Sequence, residues 1–217
     1  LFVNIFFTIV FILGVYYLIQ YRNSIEKAVD LSKQAIFPQT KQEFQSILIP
    51  TEFKEMEPLS KSTKSYKIVK WGTVAAIFIL IGLLIVVFTT DYLRSSIFSL
   101  SYFFFAIITA VRHRGNLFLL PDGIILQGRY FSYNRVKEYE VEQIVRWHDL
   151  YGLEDRLNFS YKLTVKVKGF FPLVNYVAVE NEDHLNKIID ILEMNGVTGT
   201  RKPDSTHQSS PKVSTKL

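Results

Sequence analysis

The sequence predicts an integral membrane protein: an α-helical anchor of three transmembrane helices, joined to a small α+β domain of antiparallel strands closed by a C-terminal helix. Three observations carry this reading. Residues 71–90 and 95–111 are uncharged apolar runs separated only by Asp91-Tyr92-Leu93-Arg94. Residues 1–21 form a third uncharged run. Beyond Arg114 the hydrophobic period switches from helical to alternating, as strands with one buried face require.

The hairpin 71–111 is the strongest of these signals. Twenty residues at ~1.5 Å each span roughly 30 Å, the thickness of a hydrocarbon core. Residues 71–90 contain twelve Val, Ile, Leu or Phe, each favouring insertion by roughly 0.3–0.6 kcal/mol at mid-bilayer. Residues 95–111 contain nine, diluted by Ser95, Ser96, Ser99 and Ser101. At about 26 Å this run is slightly short, so Arg94 is expected to snorkel to the interface. Its serines are expected to face the other helices, where small polar residues allow close approach. No Asp, Glu, Lys, Arg or His lies inside any of the runs, which argues against an ion or proton path. The run 1–21 ends in Tyr16, Tyr17 and Tyr21 followed by Arg22, the pattern of an aromatic belt and a stop signal. A secretory signal would instead show a basic start and a small-residue cleavage site. The chain opens on Leu1 rather than Met, which leaves an upstream start or an unusual start codon open.

Basic residues set an orientation. Arg22, Lys27 and Lys33 follow the first run, Lys61, Lys64, Lys67 and Lys70 precede the second, and Arg112-His113-Arg114 follow the third. By the positive-inside rule the N-terminus lies outside the cell (inner) membrane, and both the linker and the C-terminal domain are cytoplasmic. The expected interface anchors are Arg22, Lys70, Trp71, Arg94, Arg112, His113 and Arg114. Between the first two spans, residues 22–70 read as an amphipathic helix and linker. Asn23 with Glu26 makes a capping-box-like start, and Ile25, Ala28, Val29, Ser32 and Ile36 keep helical spacing up to Pro38. A second helical piece is predicted over 41–48, and an extended linker beyond Glu52. The apolar face of the amphipathic helix is expected to lie on the membrane or to pack on the C-terminal domain; binding a partner is the sharper alternative.

Residues 112–198 form the predicted cytoplasmic domain. Leu117–Leu120, the turn Pro121-Asp122-Gly123 and Ile124–Leu126 make a hairpin. Residues 137–147 alternate, with Tyr139, Val141, Val145 and Trp147 opposite Glu138, Glu140, Glu142 and Arg146, and a bulge is expected at Gln143-Ile144. Residues 161–168 set Tyr161, Leu163, Val165 and Val167 against Lys162, Thr164, Lys166 and Lys168. The acidic and basic stripes are expected to face each other across neighbouring strands. After a strand over 174–180, Asn181 caps a helix whose apolar face is Leu185, Ile188, Ile189 and Leu192, and Asn195-Gly196 stops it. Residues 199–217 are polar and aperiodic and read as a disordered tail.

Short strands followed by one amphipathic helix, the LLPDGI turn, the Val145-Arg146-Trp147 segment and the membrane hairpin upstream together resemble the bacterial PH-like (pleckstrin-homology-like) membrane proteins, including the YcxB-like group. The resemblance covers residues 71–196 and implies a PH-like antiparallel β-barrel or half-barrel held at the membrane as a scaffold. In phosphoinositide-binding members a basic cluster surrounds the first hairpin. Here that cluster is reduced to Arg129 and, beyond it, Arg135.

Chemistry is sparse. There is no cysteine, which removes thiolate nucleophiles and cysteine metal sites. No glycine-rich phosphate loop, H-E-x-x-H or G-x-S-x-G occurs. His148-Asp149 with Glu154 and Asp155 is the one constellation of metal or acid–base type, and a solvated loop is the favoured reading. No cofactor is expected, and the chain reads as non-enzymatic. The net charge of +5 resides in residues 21–70 (+3) and the tail 199–217 (+3), while 112–198 carries −1. Nucleic-acid binding would need a concentrated basic face on the folded domain, so it is disfavoured. The expected partners are the lipid bilayer and a protein or second copy of the chain. The leading function is an interaction or regulatory module at the cytoplasmic membrane face, and the runner-up is an accessory subunit of a transporter or envelope complex.

Overall fold

The computed structural model describes residues 2–50, 52–89, 105–107, 116–169 and 175–202. They fall into two compact units. The first gathers Leu1–Gln34, Pro58–Arg114 and Ile125–Tyr130, and the second gathers Ala35–Glu57, Gly115–Ile124 and Phe131–Leu217.

The first unit is built on two long helices, α1 (Phe2–Ser32) and α3 (Lys64–Thr89). In α1 the buried residues are Gly14, Leu18, Tyr21, Ile25, Ala28 and Val29; in α3 they are Tyr66, Val69, Thr73, Ala76 and Leu80. Both stripes step by alternating threes and fours, with Val29 added beside Ala28 at the end of α1, the seam along which two helices interlock. Gly14, Ala28 and Ala76 keep the seam thin, and the buried Thr73 hydroxyl donates to the Val69 carbonyl at 2.7 Å. At the end of α1, Ser32 Oγ donates to Leu59 O at 3.1 Å, and Lys61 Nζ lies 3.1 Å from Asp30 Oδ1. These ties bring the last turn of α1 to the residues just before α3, so the two helices run antiparallel.

The second unit contains the short helix α2 (Lys41–Gln45) and the strands β1 (Ile47–Ile49), β2 (Lys54–Glu55), β6 (Val136–Gln143), β7 (Tyr161–Val167), β8 (Tyr176–Val179) and β9 (Gly199–Arg201), with helix α4 (Glu182–Met194). The strands form one sheet in the order β2-β1-β8-β7-β6-β9. All pairings are antiparallel except β6–β9, which is parallel. A second, three-stranded sheet joins β3 (Leu117–Leu119), β4 (Gly123–Leu126) and β5 (Arg129–Ser132) as a meander. The tip of its second hairpin, Ile125–Tyr130, counts with the helical unit. Gln127 and Gly128 at that tip both take positive φ, as a tight two-residue hairpin turn needs.

The three-helix anchor is not what the structure supports. Among the described residues one helix, Tyr66–Val86, is long and apolar enough to cross a membrane, with mean hydropathy 2.4. The run 1–21 does not stop at Arg22: α1 continues unbroken to Ser32, through Asn23 and past the charged Arg22, Glu26, Lys27 and Asp30. Part of its apolarity serves the seam with α3. The run 95–111 lies outside the described residues apart from 105–107, which are helical. The antiparallel barrel capped by its last helix is likewise corrected. The strands form two sheets, β9 follows α4 and pairs parallel with β6, and β1 and β2 come from before α3. Where an extended linker was expected beyond Glu52, Lys54–Glu55 pairs with Leu48–Ile49. Strands of two or three residues carry too little alternation to register in a sequence.

Other expectations hold. Tyr139, Val141, Leu163, Val165 and Val167 are buried, and the charged stripes meet in register. Glu142 faces Lys162 (2.9 Å), and Lys166 bridges Glu138 and Glu140 at 2.8 and 2.6 Å. The irregularity in β6 sits at Val136–Glu138 rather than at Gln143-Ile144. Strand β6 ends at Gln143; Ile144 turns into the core, and Trp147 is left largely exposed. Asn181 caps α4 by accepting from the Asp183 and His184 amides, and Leu185, Ile188 and Leu192 are fully buried.

Two predictions follow from this packing. Strand β9 passes so close to β6 that a Cβ on Gly199 would stand 2.4 Å from the Tyr139 ring. That ring is buried, and its hydroxyl donates to Glu193 at 2.5 Å. Gly199→Ala should therefore destabilise the fold by about 1–3 kcal/mol, read as a lowered Tm. In a Tyr139→Ala background the added loss should largely vanish, as expected when two changes share one contact. The second concerns Glu43, at the start of α2. Burial pushes its carboxyl up, but the Lys187 ammonium at 2.6 Å and the Gln39 and Thr40 amides outweigh this and hold it down at about 2. A folded pKa below the unfolded one gives stability that is complete above about 4.5 and is lost as pH falls toward 2. Glu43→Gln should flatten the stability profile in that window, measured by denaturant unfolding of the full chain in detergent at stepped pH.

Candidate membrane-interface site

The site is assembled at the first three turns of α3. A serine-rich turn leads in: Thr63 donates through its amide and its hydroxyl to the Ser60 carbonyl at 3.1 and 2.6 Å. Ser60 and Ser62 hydroxyls lie 3.0 Å apart. From Lys64 onward the helix divides. Tyr66, Val69 and Thr73 turn into the seam with α1, while Lys64, Lys67, Ile68 and Trp71, at i, i+3, i+4 and i+7, share the outward face. With Ser62 they line a shallow open groove of about 430 Å³. Ile68 and Trp71 are both mostly exposed.

The groove is electrostatically one-sided. No Asp or Glu occurs between Glu57 and Asp91, whereas four lysines do. Lys61 is taken by Asp30, whose hydrogen bond keeps the ammonium above its ordinary range. Lys64, Lys67 and Lys70 have no ion pair among the described residues. Such a surface offers ammonium donors, one hydroxyl and an indole edge, a set suited to holding an anion beside an apolar phase and lacking any nucleophile–base pair.

Of the anchors expected from sequence, Lys70 and Trp71 stand exposed at this end of α3. Arg22 is half-buried within α1 and is not part of the groove lining. Arg94, Arg112, His113 and Arg114 lie outside the described residues. The tyrosine belt is partly something else. Tyr16 is exposed, but Tyr21 is buried, and Tyr17 and Tyr21 stack with near-parallel rings. Both carry the Arg129 guanidinium, 5.3 and 5.4 Å from the ring centroids. The i, i+4 tyrosine pair was visible in the sequence, but its cationic partner, 108 residues from Tyr21 (129 − 21), was not.

The His148 constellation does not converge. Its Nδ1 accepts from the Leu150 amide at 3.0 Å, and Nε2 lies 3.5 Å from Glu142. Glu142 in turn is held by Lys202 and Lys162, whose hydrogen bonds, Lys202's first, bring its carboxyl down to about 2. Asp149, Glu154 and Asp155 do not join it. Among the described residues no group of three His, Cys, Asp or Glu could hold a metal.

No family model matches this chain, and no curated protein or solved structure matches it.

Proposed function

We propose that this chain is a membrane-anchored, non-enzymatic interaction module that presents its β-rich unit at the cytoplasmic face of the cell membrane. The observation that carries this reading is the bareness of α3. Of the most apolar stretch within Tyr66–Val86 only 22% is buried. Phe78, at 70% exposed, is joined by Ile79, Ile81 and Ile85 on the open side. The core helix of a water-soluble fold would be covered by its own chain, whereas a bilayer removes the cost of exposing so continuous an apolar surface.

The lysines at the N-terminal end of α3 support the proposed orientation. Residues up to Glu57 belong to the β-rich unit, just seven residues before Lys64. Strand β1 precedes α3 and pairs with β8, which follows it, so both sequence flanks of α3 contribute to the β-rich unit. Within the β-rich unit the charged side chains pair with one another along the sheet instead of converging on a cavity, which favours a module over an enzyme. The accessory-subunit reading keeps one observation of its own. Ile5, Ile9, Ile12, Leu13 and Ile19 point outward from α1, and a neighbouring protein's helix would cover them as readily as lipid.

Membranes washed in alkaline carbonate should retain the full chain. Phe78→Arg combined with Ile85→Arg should shift it to the soluble fraction, since each arginine at mid-bilayer costs roughly 2.5–3.5 kcal/mol. Release of the unaltered chain by carbonate would overturn the membrane reading.

A further inference from the structure

We propose that the groove at the base of α3 binds the headgroup of an anionic phospholipid, its phosphate held between Lys64 and Lys67 and its acyl chain laid along Ile68, Trp71 and Phe78. This rests on α3 entering a bilayer. The argument begins from an energetic anomaly. Lys64, Lys67 and Lys70 occupy the first two turns of a helix, where the macrodipole disfavours cations, and the first turn holds no acidic residue. Spaced three apart, they also repel one another along one flank. Several lysines elsewhere do have carboxylates: Lys162 and Lys202 meet Glu142, Lys166 meets Glu138 and Glu140, and Lys187 meets Glu43. Even Lys61, three residues before Lys64, has Asp30. At the base of α3 Lys64, Lys67 and Lys70 have no such partner among the described residues, so helix stability does not explain the cluster and an external anion does.

The shape of the face indicates which anion. The groove runs from Ser62 and the two lysines to Trp71, 67% exposed, about 6 Å along the axis from Lys67. Beyond Trp71 the outward face is wholly apolar as far as Phe78 and Ile85. A free phosphate would use only the basic end. A phospholipid uses both: charge where the lysines sit at headgroup level, an indole at the boundary, and hydrocarbon beyond.

The test uses the full chain with Trp147→Phe, which leaves Trp71 as the sole tryptophan of the two in the sequence. It is reconstituted in phosphatidylcholine vesicles containing brominated phosphatidylglycerol or, separately, brominated phosphatidylcholine as quencher. The expected result is that the anionic lipid quenches Trp71 at a much lower mole fraction, by roughly fivefold per lysine at low salt. Lys64→Gln with Lys67→Gln should abolish that preference while carbonate-resistant membrane association persists. Equal quenching by the two lipids in the unaltered groove would overturn the proposal and leave the membrane anchor standing. Quenching by neither lipid would overturn the anchor itself. A saturable change in Trp71 emission on adding inorganic phosphate in detergent would assign the groove to free phosphate instead. Loss of quenching by both lipids as protein density in the bilayer rises would assign it to a second copy of the chain. Either outcome would overturn the lipid site.

Discussion

The pairing of β1 with β8 is the constraint on which the rest of the β-rich unit depends. Ile47 and Leu48 stand opposite Val179 and Ala178, so a segment preceding α3 is built into a sheet made mostly of residues that follow it. Arg156 fastens the junction. Its guanidinium takes Glu180 bidentately at 2.8 and 2.5 Å, reaches Glu55 on β2 at 2.9 Å, and donates to the Gln45 carbonyl at 2.9 Å. Arginine's planar fork suits this task, because one side chain satisfies three groups drawn from both parts of the chain. Beneath it Leu48, Ile144, Leu157 and Ala178 form a shared apolar cluster. Without that joint, residues 47–55 would lose their sheet, and the two chain segments flanking α3 would have no fixed relation.

Charge is put to two different uses along this chain. Across β6 and β7 every carboxylate of the acidic stripe has an ammonium in hydrogen-bond reach, each exposed pair contributing only a few tenths of a kcal/mol but together fixing register. A one-residue slip would set Glu138, Glu140 and Glu142 opposite the apolar residues of β7, breaking their ion pairs, and turn Tyr139 and Val141 outward. At the base of α3, Lys64, Lys67 and Lys70 have no ion pair among the described residues. That contrast separates cations that organise the fold from cations that are available to a surface.

Aromatic residues show how one sequence signal divides between two uses. Tyr16, Tyr17 and Tyr21 read as a single interfacial belt, yet only Tyr16 is open, and the other two are occupied by Arg129. Trp147 completes an alternating pattern in the sequence but falls beyond the end of β6, where the chain turns at Val145–His148 and the side chain leaves the core. In both cases the residue type was informative about polarity and silent about contacts.

The groove at the base of α3 was half legible beforehand: Lys64, Lys67, Lys70 and Trp71 read in the sequence as an expected membrane-proximal helix end, but that the lysines have no carboxylate partner among the described residues is a fact of packing. By itself the sequence determined what depends on local period and composition. The apolar face of α4, its Asn181 cap, the Pro121-Asp122-Gly123 turn, the facing stripes of β6 and β7 and the apolar length of α3 all follow from residues within a few positions of one another. Tertiary structure alone decided that β1, β2 and β9 are strands, because their two or three residues gain their hydrogen bonds from partners far along the chain. It also decided that α1 is one helix committed to a seam with α3. An uncharged run reports that water is unwelcome, but not whether lipid or another helix takes its place.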